Sequence, residues 1–444
     1  MINTLVYYSS KGEIILSLFK GKKKAVSKPA IIPRCEHNIS RKSINQNALK
    51  VLYGLKDTGF EAYLVGGGVR DLLLELHPKD FDIVTNAKPE EVRKLFRGCI
   101  LIGRRFRLAH VRFGREIIEV ATFRTGLEYD SDKYQRSEHG MILRDNVYGT
   151  MEEDAWRRDF TVNALYYRIK DFSIIDYTNG IKDLEAKVLR MIGDPIVRYR
   201  EDPVRMLRAV RLAAKIGFTI EKNTAAPIAK LAPLFINVSP ARLLEEVIKW
   251  FRSCKSLETF HLLQKHKLFA FLFAQTAASL QGINGKITAS MLHHGFTNTD
   301  QRISISKPII PAFLYAVLLW WPMQEQIAII RRDEKVTEFV ELQRAMQYVL
   351  HLQKNQTLIS QKLLFTIKEI WILQYQLTQK KKRRIYSLLT HPRFRAAYDF
   401  LLLRAQTGEQ VKELAKWWTQ LQEANEDKRH KMIAKYTGEP CQTT

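Results

Sequence analysis

The chain has 444 residues, 46% of them hydrophobic and 10% aromatic, which suffices for several buried cores and excludes an intrinsically disordered protein. The excess of 71 Lys and Arg over 46 Asp and Glu gives a net charge of +25, which indicates a polyanionic partner, either nucleic acid or an anionic membrane surface. Four widely spaced cysteines without a Cys-x-x-Cys pair, and the lack of a signal peptide or a transmembrane-length apolar run, predict a reduced cytoplasmic protein.

Residues 1–45 are strongly basic, with nine Lys and Arg against two acidic residues and three lysines at 22–24. We interpret them as a flexible basic N-terminal arm. Contact with RNA, contact with an anionic membrane surface and a merely solvated tail stay open as its roles.

From residue 46 to about residue 182 helical and strand patterns alternate, which predicts an α+β domain built on a small mixed sheet. The predicted strands are residues 62–65, 81–84, 108–113, 116–123 and 165–169. The polar stretch 125–145 is long for a plain connection, so we expect it to be functional or mobile.

The most informative segment of that domain is a glycine turn followed by two carboxylates. The apolar run 62–65 stops at Gly66, Gly67 and Gly68, and a short helix is predicted from there to Pro78. Asp80 and Asp82 then alternate with apolar residues, so both carboxylates share one strand face and are able to hold a pair of hard cations such as Mg²⁺.

Glycine turns at helix N-termini admit phosphate groups, whereas many are only tight turns. A dinucleotide fingerprint fails here because Asp71 stands where its last glycine is needed, and no Gly-Lys-Ser/Thr follows for a Walker A loop. The combination of turn, helix and paired carboxylates favours nucleotidyl transfer.

Three residues compete as a third metal-binding carboxylate. Asp159 precedes an apolar segment and is equally a candidate N-cap, Glu119 lies mid-strand where a salt bridge would also explain it, and Asp154 lies in an acidic run that we expect to be solvated. Arg157 and Arg158 are suited to bind triphosphate oxygens, or to balance the acidic run before them.

A helix is predicted between Pro203 and Gly217, with arginines at every third position on one face. Asp202 and Arg205 together can read the amine and ring nitrogen of adenine or cytosine, although Asp202 is also a plausible N-cap. A further helix is predicted from Pro240, with Leu244, Val247, Ile248 and Phe251 on its apolar stripe, and residues 281–307 are predicted as a loop region or a break between helical subdomains. Beyond them, basic and aromatic residues interleave in helical segments.

These motifs resemble those of the bacterial poly(A) polymerases of the class II nucleotidyltransferase superfamily, close relatives of the tRNA CCA-adding enzymes. The resemblance rests on residues 64–72 (LVGGGVRDL) with Asp80 and Asp82, on 157–164 (RRDFTVNA) and on 201–211 (EDPVRMLRAVR). Residues 101–111 (LIGRRFRLAHV), 32–34 (IPR) and 391–398 (HPRFRAAY) resemble the polymerases more than the CCA-adding enzymes.

The resemblance implies a template-independent adenylyltransferase that adds AMP from ATP to RNA 3′ ends, which promotes RNA decay. It places two Mg²⁺ ions on Asp80, Asp82 and Asp159, the three catalytic acids, and leaves Glu119 as the lesser candidate. The residues expected to bind the nucleotide are Gly66, Gly67, Gly68, Arg70, Arg157, Arg158, Asp202, Arg205 and Arg208. Those expected to bind RNA are Arg104, Arg105, Lys380, Lys381, Lys382, Arg383, Arg384, Arg393 and Arg395.

The expected architecture is a nucleotidyltransferase head with a small mixed sheet, followed by an all-α neck and body. We place the arm at 1–45, the catalytic domain at 46–182, the base-binding neck at 183–262, the RNA-binding body at 263–422 and a flexible tail at 423–444. We expect a monomer that takes RNA 3′ ends and ATP as substrates and binds proteins of RNA decay. The alternatives are a CCA-adding enzyme and, from another class, a catalytically inactive RNA-binding protein.

Overall fold

The protein consists of a mixed β-sheet with its helices, followed by a long series of helices. The computed structural model describes residues 5–8, 14–17, 28–103, 107–125, 135–136, 142–144, 147–379 and 381–438. The strands are β1 Leu5–Tyr8, β2 Ile14–Ser17, β3 Ala30–Ile32, β4 Ala62–Val65, β5 Asp82–Thr85, β6 Cys99–Ile102, β7 Leu108–Phe113, β8 Glu116–Thr122, β9 Gln135–Arg136, β10 Ile142–Arg144, β11 Leu165–Arg168, β12 Ile174–Asp176, β13 Val188–Leu189 and β14 Thr219–Ile220.

The helices of the first half surround the sheet and continue into the all-helical part. They are α1 Gln46–Asp57, α2 Gly67–Leu73, α3 Pro89–Leu95, α4 Met151–Arg157, α5 Gly180–Glu185, α6 Pro195–Glu201, α7 Val204–Ile216, α8 Lys222–Ala225, α9 Ile228–Leu231, α10 Pro240–Phe251 and α11 Ser256–Lys265. The later helices are α12 Phe269–Leu272, α13 Ala274–Gln281, α14 Gly285–Ser304, α15 Pro311–Leu318, α16 Trp320–Asp333, α17 Glu338–Gln356, α18 Gln361–Leu377, α19 Lys382–Leu389, α20 Phe394–Gln406, α21 Lys412–Glu423 and α22 Glu426–Thr437.

The main sheet has eight strands in the order β3-β12-β11-β4-β5-β8-β7-β6, more than the small sheet we predicted. Its neighbouring strands are antiparallel except β5 and β8, which run parallel. The predicted strands all form within one residue of their expected ends, whereas β3, β6 and β12 were missed. The predicted α+β class, with a mixed-sheet head and a helical remainder, is confirmed.

The two faces of the sheet are covered by different helices because side chains alternate along each strand. Leu64 and Ile83 pack with Val51 of α1 in one apolar cluster, and Val84 packs with Ala155 of α4 in another. Asp82 alternates with Ile83 and therefore lies on the α4 face. This face carries the candidate site.

The N-terminal arm is not flexible throughout, because its last third belongs to the head. Residues 30–32 form strand β3 at the edge of the sheet, paired with β12. Ile39 and Ile44 are buried in the same cluster as α1. The apolar pair stabilises the segment against the helix, so the prediction of a flexible arm is wrong for residues 30–45.

The predicted C-terminal tail is wrong between residues 426 and 437, which form α22. Ile433 is buried in a cluster with Trp418, and the rings of Trp417 and Tyr436 stack with centroids 4.1 Å apart. The helix begins with Asn425, whose side chain accepts a hydrogen bond from the backbone N–H of Lys428. The helix was not predicted because most of its residues are charged or polar and only a few apolar residues mark its buried face.

The predicted loop region at 281–307 is also wrong, since α14 spans twenty of these residues. Its buried face is lined by small and polar residues at helical spacing as well as by apolar ones. They are Thr288, Met291, Leu292, Gly295, Phe296 and Thr299. Gly295 lies where a Cβ would approach a methyl of Val317 to 2.8 Å, so close helix packing requires glycine there.

The helical half is held by one large apolar cluster that extends from Phe160 to Leu403. This cluster continues across the predicted boundary at 262/263, and the domain limits stay a prediction. In α10 Val247 and Phe251 of the predicted stripe are buried, and Leu243 and Trp250 are buried in place of Leu244 and Ile248. Among the described helices none alone is long and apolar enough to cross a membrane, and only the pair α15 and α16, bent by 46°, meets the criteria of length and composition together.

Candidate active site

The glycine turn joins β4 to α2 beside the first carboxylate. Gly66 has a φ of +74°, which L side chains rarely adopt, and helix α2 begins at the next residue. A Cβ on Gly68 would lie 3.4 Å from the backbone oxygen of Asp80. The turn is therefore in contact with the segment that leads into β5.

Asp82 opens β5, and the parallel register with β8 places it level with Glu119. The pairs Ile83–Val120 and Val84–Ala121 fix this register. The Asp82 carboxylate stays exposed at the mouth of the site, yet the loss of water on its protein side raises its pKa to about 6, and the charges of Glu119 and Asp80 add to this rise. The Arg158 charge opposes it. Three carboxylates thus repel one another at this edge.

These carboxylates differ from the other acids of the site in having no arginine or lysine partner in a salt bridge among the described residues. Within the described residues, neither Asp80 nor Asp82 forms a salt bridge, and Glu119 has only the His110 Nε2 atom at 3.5 Å. No group of three or more His, Cys, Asp or Glu side chains in the described part of the chain is arranged to hold a metal ion. Carboxylate oxygens are nevertheless the donor type that Mg²⁺ requires.

Asp159 does not join this cluster but is bound by Arg208. Its Oδ2 atom accepts hydrogen bonds from Nε and Nη2 of Arg208 at 2.8 and 2.5 Å, and its Oδ1 accepts from the Asn163 amide at 3.1 Å. Burial alone would raise the Asp159 pKa, but the guanidinium and these hydrogen bonds hold it far below its usual range. As the structure stands, the predicted metal ligand and the predicted nucleotide-binding arginine neutralise each other. The roles of both stay predictions.

Asp154, which we expected to be solvated, is instead the buried centre of an ion-pair cluster. Its carboxylate accepts hydrogen bonds from Arg157 at 3.0 Å, from Arg158 at 2.9 Å and from the Tyr166 hydroxyl at 2.8 Å. Burial opposes ionisation, but the two arginines and the hydroxyl lower the Asp154 pKa to about 2. Of the two roles considered for Arg157 and Arg158, the contacts seen here are those of charge balance with the acidic run.

Arg70, predicted to bind phosphate, is buried and already bonded inside the fold. Its Nε and Nη2 donate to Asp71 at 2.8 and 2.5 Å, and its Nη1 donates to Asn163 at 2.5 Å. Lys215 Nζ lies 3.3 Å from the other oxygen of Asp71. Arg70 therefore links α2 to the segment after α4 that carries Asp159 and Asn163.

Asp202 lies between α6 and α7 and Arg205 lies in the first turn of α7, and each has a different partner. Asp202 accepts from Arg242 at 2.8 Å and from the backbone N–H of Val204, the first residue of α7, at 3.3 Å, whereas the N-cap position itself is Pro203. Arg205 donates to Glu201 at 2.8 Å. Arg242, on α10, was not predicted because no local sequence pattern indicates that a residue 40 positions away contacts Asp202.

A basic recess of about 170 Å³ lies where α2 and α7 meet the turn after α4. Four cations line it with a single carboxylate, that of Asp159. They are Arg70, Arg208, Arg211 and Lys215. Lys215 was missed although it lies one turn beyond Arg211 on the arginine face of α7. The recess is suited to bind a polyanion next to the glycine turn.

Some of the predicted RNA-binding residues lie at two places in the helical half, and the others lie outside the residues that the structure describes. Arg104, Arg105 and Lys380 lie outside the described residues. Positions 381–384 lead into α19 with Lys381 and Arg383 exposed, and α20 carries Arg395 beside Asp399 at 3.0 Å. Arg393 and Arg395 border a groove of about 470 Å³ with apolar walls between α14 and α20.

Family models match three parts of the chain. The poly A polymerase head domain matches residues 62–190, the probable RNA and SrmB-binding site of polymerase A matches 217–280, and the polymerase A arginine-rich C-terminus matches 334–442. This chain is 46% identical to poly(A) polymerase I of Salmonella typhi over 424 residues, which cover 94% of this chain and 91% of that relative. The chain belongs to the poly(A) polymerase family.

Other members of the poly(A) polymerase family match almost as fully. Poly(A) polymerase I of Escherichia coli O6:H1 is 47% identical over 94% of this chain and 91% of its own, and that of Haemophilus influenzae is 43% identical over 91% and 90%. The predicted adenylyltransferase is therefore confirmed. A CCA-adding enzyme of Lactobacillus helveticus, 40% identical over only 48% of this chain and 52% of its own, is a more distant relative.

Solved structures of CCA-adding enzymes share the fold of this poly(A) polymerase family member. The Thermotoga maritima enzyme complexed with tRNA has a TM-score of 0.57 at 18% identity, covering 90% of this chain and 93% of that chain. The Bacillus stearothermophilus enzyme in complex with CTP has a TM-score of 0.52 at 24% identity, covering 90% and 89%. At these identities the likeness is one of fold.

Proposed function

We propose that this chain transfers AMP from ATP to RNA 3′ ends, with divalent cations held at Asp80 and Asp82 and with Glu119 beside them. The observation that carries the assignment is the contrast among the acids of the site. Asp154, Asp159 and Asp202 each accept hydrogen bonds from arginine, whereas Asp80 and Asp82 form no salt bridge in the described part of the chain. Uncompensated carboxylates at an open edge are suited to bind cations.

The donor chemistry fits Mg²⁺, and binding would relieve the mutual repulsion that adds to the effect of burial on the Asp82 pKa. When bound, such ions supply charge neutralisation of the phosphates and a more acidic 3′-hydroxyl. The structure favours Glu119 over Asp159 as a third carboxylate, because β5 and β8 place it level with Asp82 whereas Asp159 is paired with Arg208.

The chain's own residues position the substrates. Arg208, Arg211 and Lys215 in the basic recess would bind the triphosphate beside the glycine turn, and Asp202, aligned by Arg242, would accept a hydrogen bond from the adenine amine. The barrier then falls through positioning and electrostatic stabilisation, without a covalent intermediate.

The RNA would lie along the helical half, where Lys381 and Arg383 at the start of α19 and Arg395 at the groove next to α20 are exposed. Cytoplasmic location, a monomeric state, membrane contact of the arm, a role of the tails in RNA decay and binding of decay proteins stay predictions from the sequence.

The decisive experiment incubates the protein with Mg²⁺, a generic RNA oligonucleotide and each labelled nucleotide separately. We expect a ladder of extended RNA products with ATP alone, and no such ladder with the Asp80→Asn variant. Addition of CMP to a tRNA before AMP would indicate the CCA-adding reaction, and RNA binding without any incorporation would indicate an inactive binding protein.

A further inference from the structure

A second basic recess of about 420 Å³ lies on the head, outside the site described above. It is formed by α1, by the turns around residues 34 and 41 and by the end of β11. Three cations line it, and no carboxylate does: Arg34, Arg41 and Lys42. The segment 32–34, which the proposed reaction does not use, contributes the first of them.

The cations and hydroxyl groups of this recess are held in place by contacts with the wall. The Arg41 guanidinium lies 4.8 Å from the centre of the Phe172 ring and donates to the Tyr53 hydroxyl at 3.2 Å. Arg34 donates to the backbone oxygen of His37 at 2.8 Å. The recess is thus largely pre-formed, and its charged lining consists of hydrogen-bond donors only.

The floor of the recess contains an unsatisfied hydrogen-bonding group. Tyr167 is fully buried, and its hydroxyl has no hydrogen-bond partner among the described residues. Tyr167 itself lines the recess together with Arg34 and Arg41, and the charges of both arginines act on its hydroxyl. A buried hydroxyl without a partner is costly, and an acceptor on a ligand would remove that cost.

The recess and the carboxylates lie on opposite faces of the sheet. Tyr167 packs in the cluster of Leu64 and Ile83, beneath α1, whereas Asp82 alternates with Ile83 and lies on the α4 face. A ligand in the recess is therefore separated from the reacting groups by the sheet itself.

We propose that this recess binds a phosphate group carried by a nucleotide or by the RNA backbone. Only an anionic acceptor complements three cations, an unpaired hydroxyl donor and a lining without carboxylates. Its volume of about 420 Å³ lies in the range of pockets that enclose small molecules, and the Tyr53 and Phe172 rings offer apolar surface to a base.

The test titrates inorganic phosphate, AMP, adenosine and a short oligo(A) into the full chain, in EDTA and without ATP, so that it needs no adenylyl transfer. Lys42→Glu reverses an exposed charge of the recess, and Lys94→Glu on α3 is the matched control with the same charge change. Tyr167→Phe removes only the unpartnered hydroxyl, so its melting temperature without phosphate should not fall.

Lys42→Glu should weaken binding of the phosphate-bearing ligands by about tenfold and Tyr167→Phe by about fivefold. The larger effect belongs to the lysine because an interaction between two charged groups contributes more to binding than a hydrogen bond from a neutral hydroxyl. Lys94→Glu should bind like the wild type, and adenosine should not bind the recess. Sensitivity of AMP binding to these variants identifies a free-nucleotide site, and sensitivity of oligo(A) alone identifies an RNA-backbone site. Equal affinities in all four proteins, for every ligand, would overturn the proposal.

Discussion

Arg208 on α7 holds Asp159, which follows α4, through two hydrogen bonds of 2.8 and 2.5 Å to a single carboxylate oxygen. This pair links the sheet-containing head to the first long helix of the all-α half. It also occupies two groups that the sequence motifs assign to metal and nucleotide. Either the pair is structural, or it opens when a substrate binds.

A double-mutant cycle separates these roles. We expect Asp159→Asn and Arg208→Gln each to lower the free energy of unfolding, with a coupling energy of about 1–3 kcal/mol because the two side chains share one hydrogen-bonded pair. Urea unfolding of the two single variants and the double variant measures it. Additive effects within a few tenths of a kcal/mol would mean that the contact contributes little to stability.

The unpaired carboxylates lead to a second prediction. Asp82→Asn should lower AMP incorporation by about a thousandfold, because it removes part of the negative charge available to the cations, an effect of several kcal/mol. Glu119→Gln should raise the Mg²⁺ concentration needed for half-maximal rate, whereas Asp159→Asn should change that concentration less. Incorporation measured over a Mg²⁺ titration gives the ranking, and the reverse order of Glu119 and Asp159 would restore Asp159 as the third ligand.

Local patterns were sufficient to predict five strands of the head and its paired carboxylates, but not to predict which distant segments pair. The apolar run before Gly66 and the alternation around Asp82 identified strands and carboxylates, because both are short-range signals. Nothing local indicates that β8 runs parallel to β5 and places Glu119 level with Asp82, or that Arg242 reaches Asp202. The family motifs identified the chemistry, while the partner of each charged side chain depended on the tertiary structure.

Arg242 leads to a third prediction, on nucleotide choice. Its Nη2 atom fixes the Asp202 carboxylate at 2.8 Å, so Arg242→Gln should leave the acid poorly aligned toward the adenine amine. We expect the KM for ATP to rise and selection of ATP over GTP to fall by about tenfold, the cost of a misaligned hydrogen bond to a base edge. Competition between labelled nucleotides measures it. Unchanged selection with a lower unfolding free energy would reduce Arg242 to a structural role.

The Asp154 cluster leads to a fourth prediction, on acid stability. The Asp154 pKa is about 2 in the folded protein against an ordinary 3.8, so the fold favours the ionised form. The resulting stabilisation, about 2 kcal/mol, is fully present above pH 4 and is lost as the pH falls toward 2. The difference in unfolding free energy between the wild type and Asp154→Asn should therefore shrink between pH 5 and pH 2.5, measured by urea unfolding. A difference that stays constant over this range would contradict the low pKa.

The cations that lead into α19 give the last prediction, because RNA bound through phosphates releases counterions. For single-stranded RNA each phosphate contact contributes about 0.7 to the slope of log affinity against log salt concentration. Replacing Lys381, Lys382, Arg383 and Arg384 together by serine should therefore reduce the slope by up to about 3, whereas Lys94→Ser should leave it unchanged. Filter binding of an RNA oligonucleotide between 50 and 300 mM salt, about the range in which such contacts dominate, measures both slopes. Because these residues precede or begin a helix and partly face solvent, circular dichroism should show folded protein in both variants. An unchanged slope in the fourfold variant would place the RNA path elsewhere on the helical half, next to Arg393 and the groove between α14 and α20.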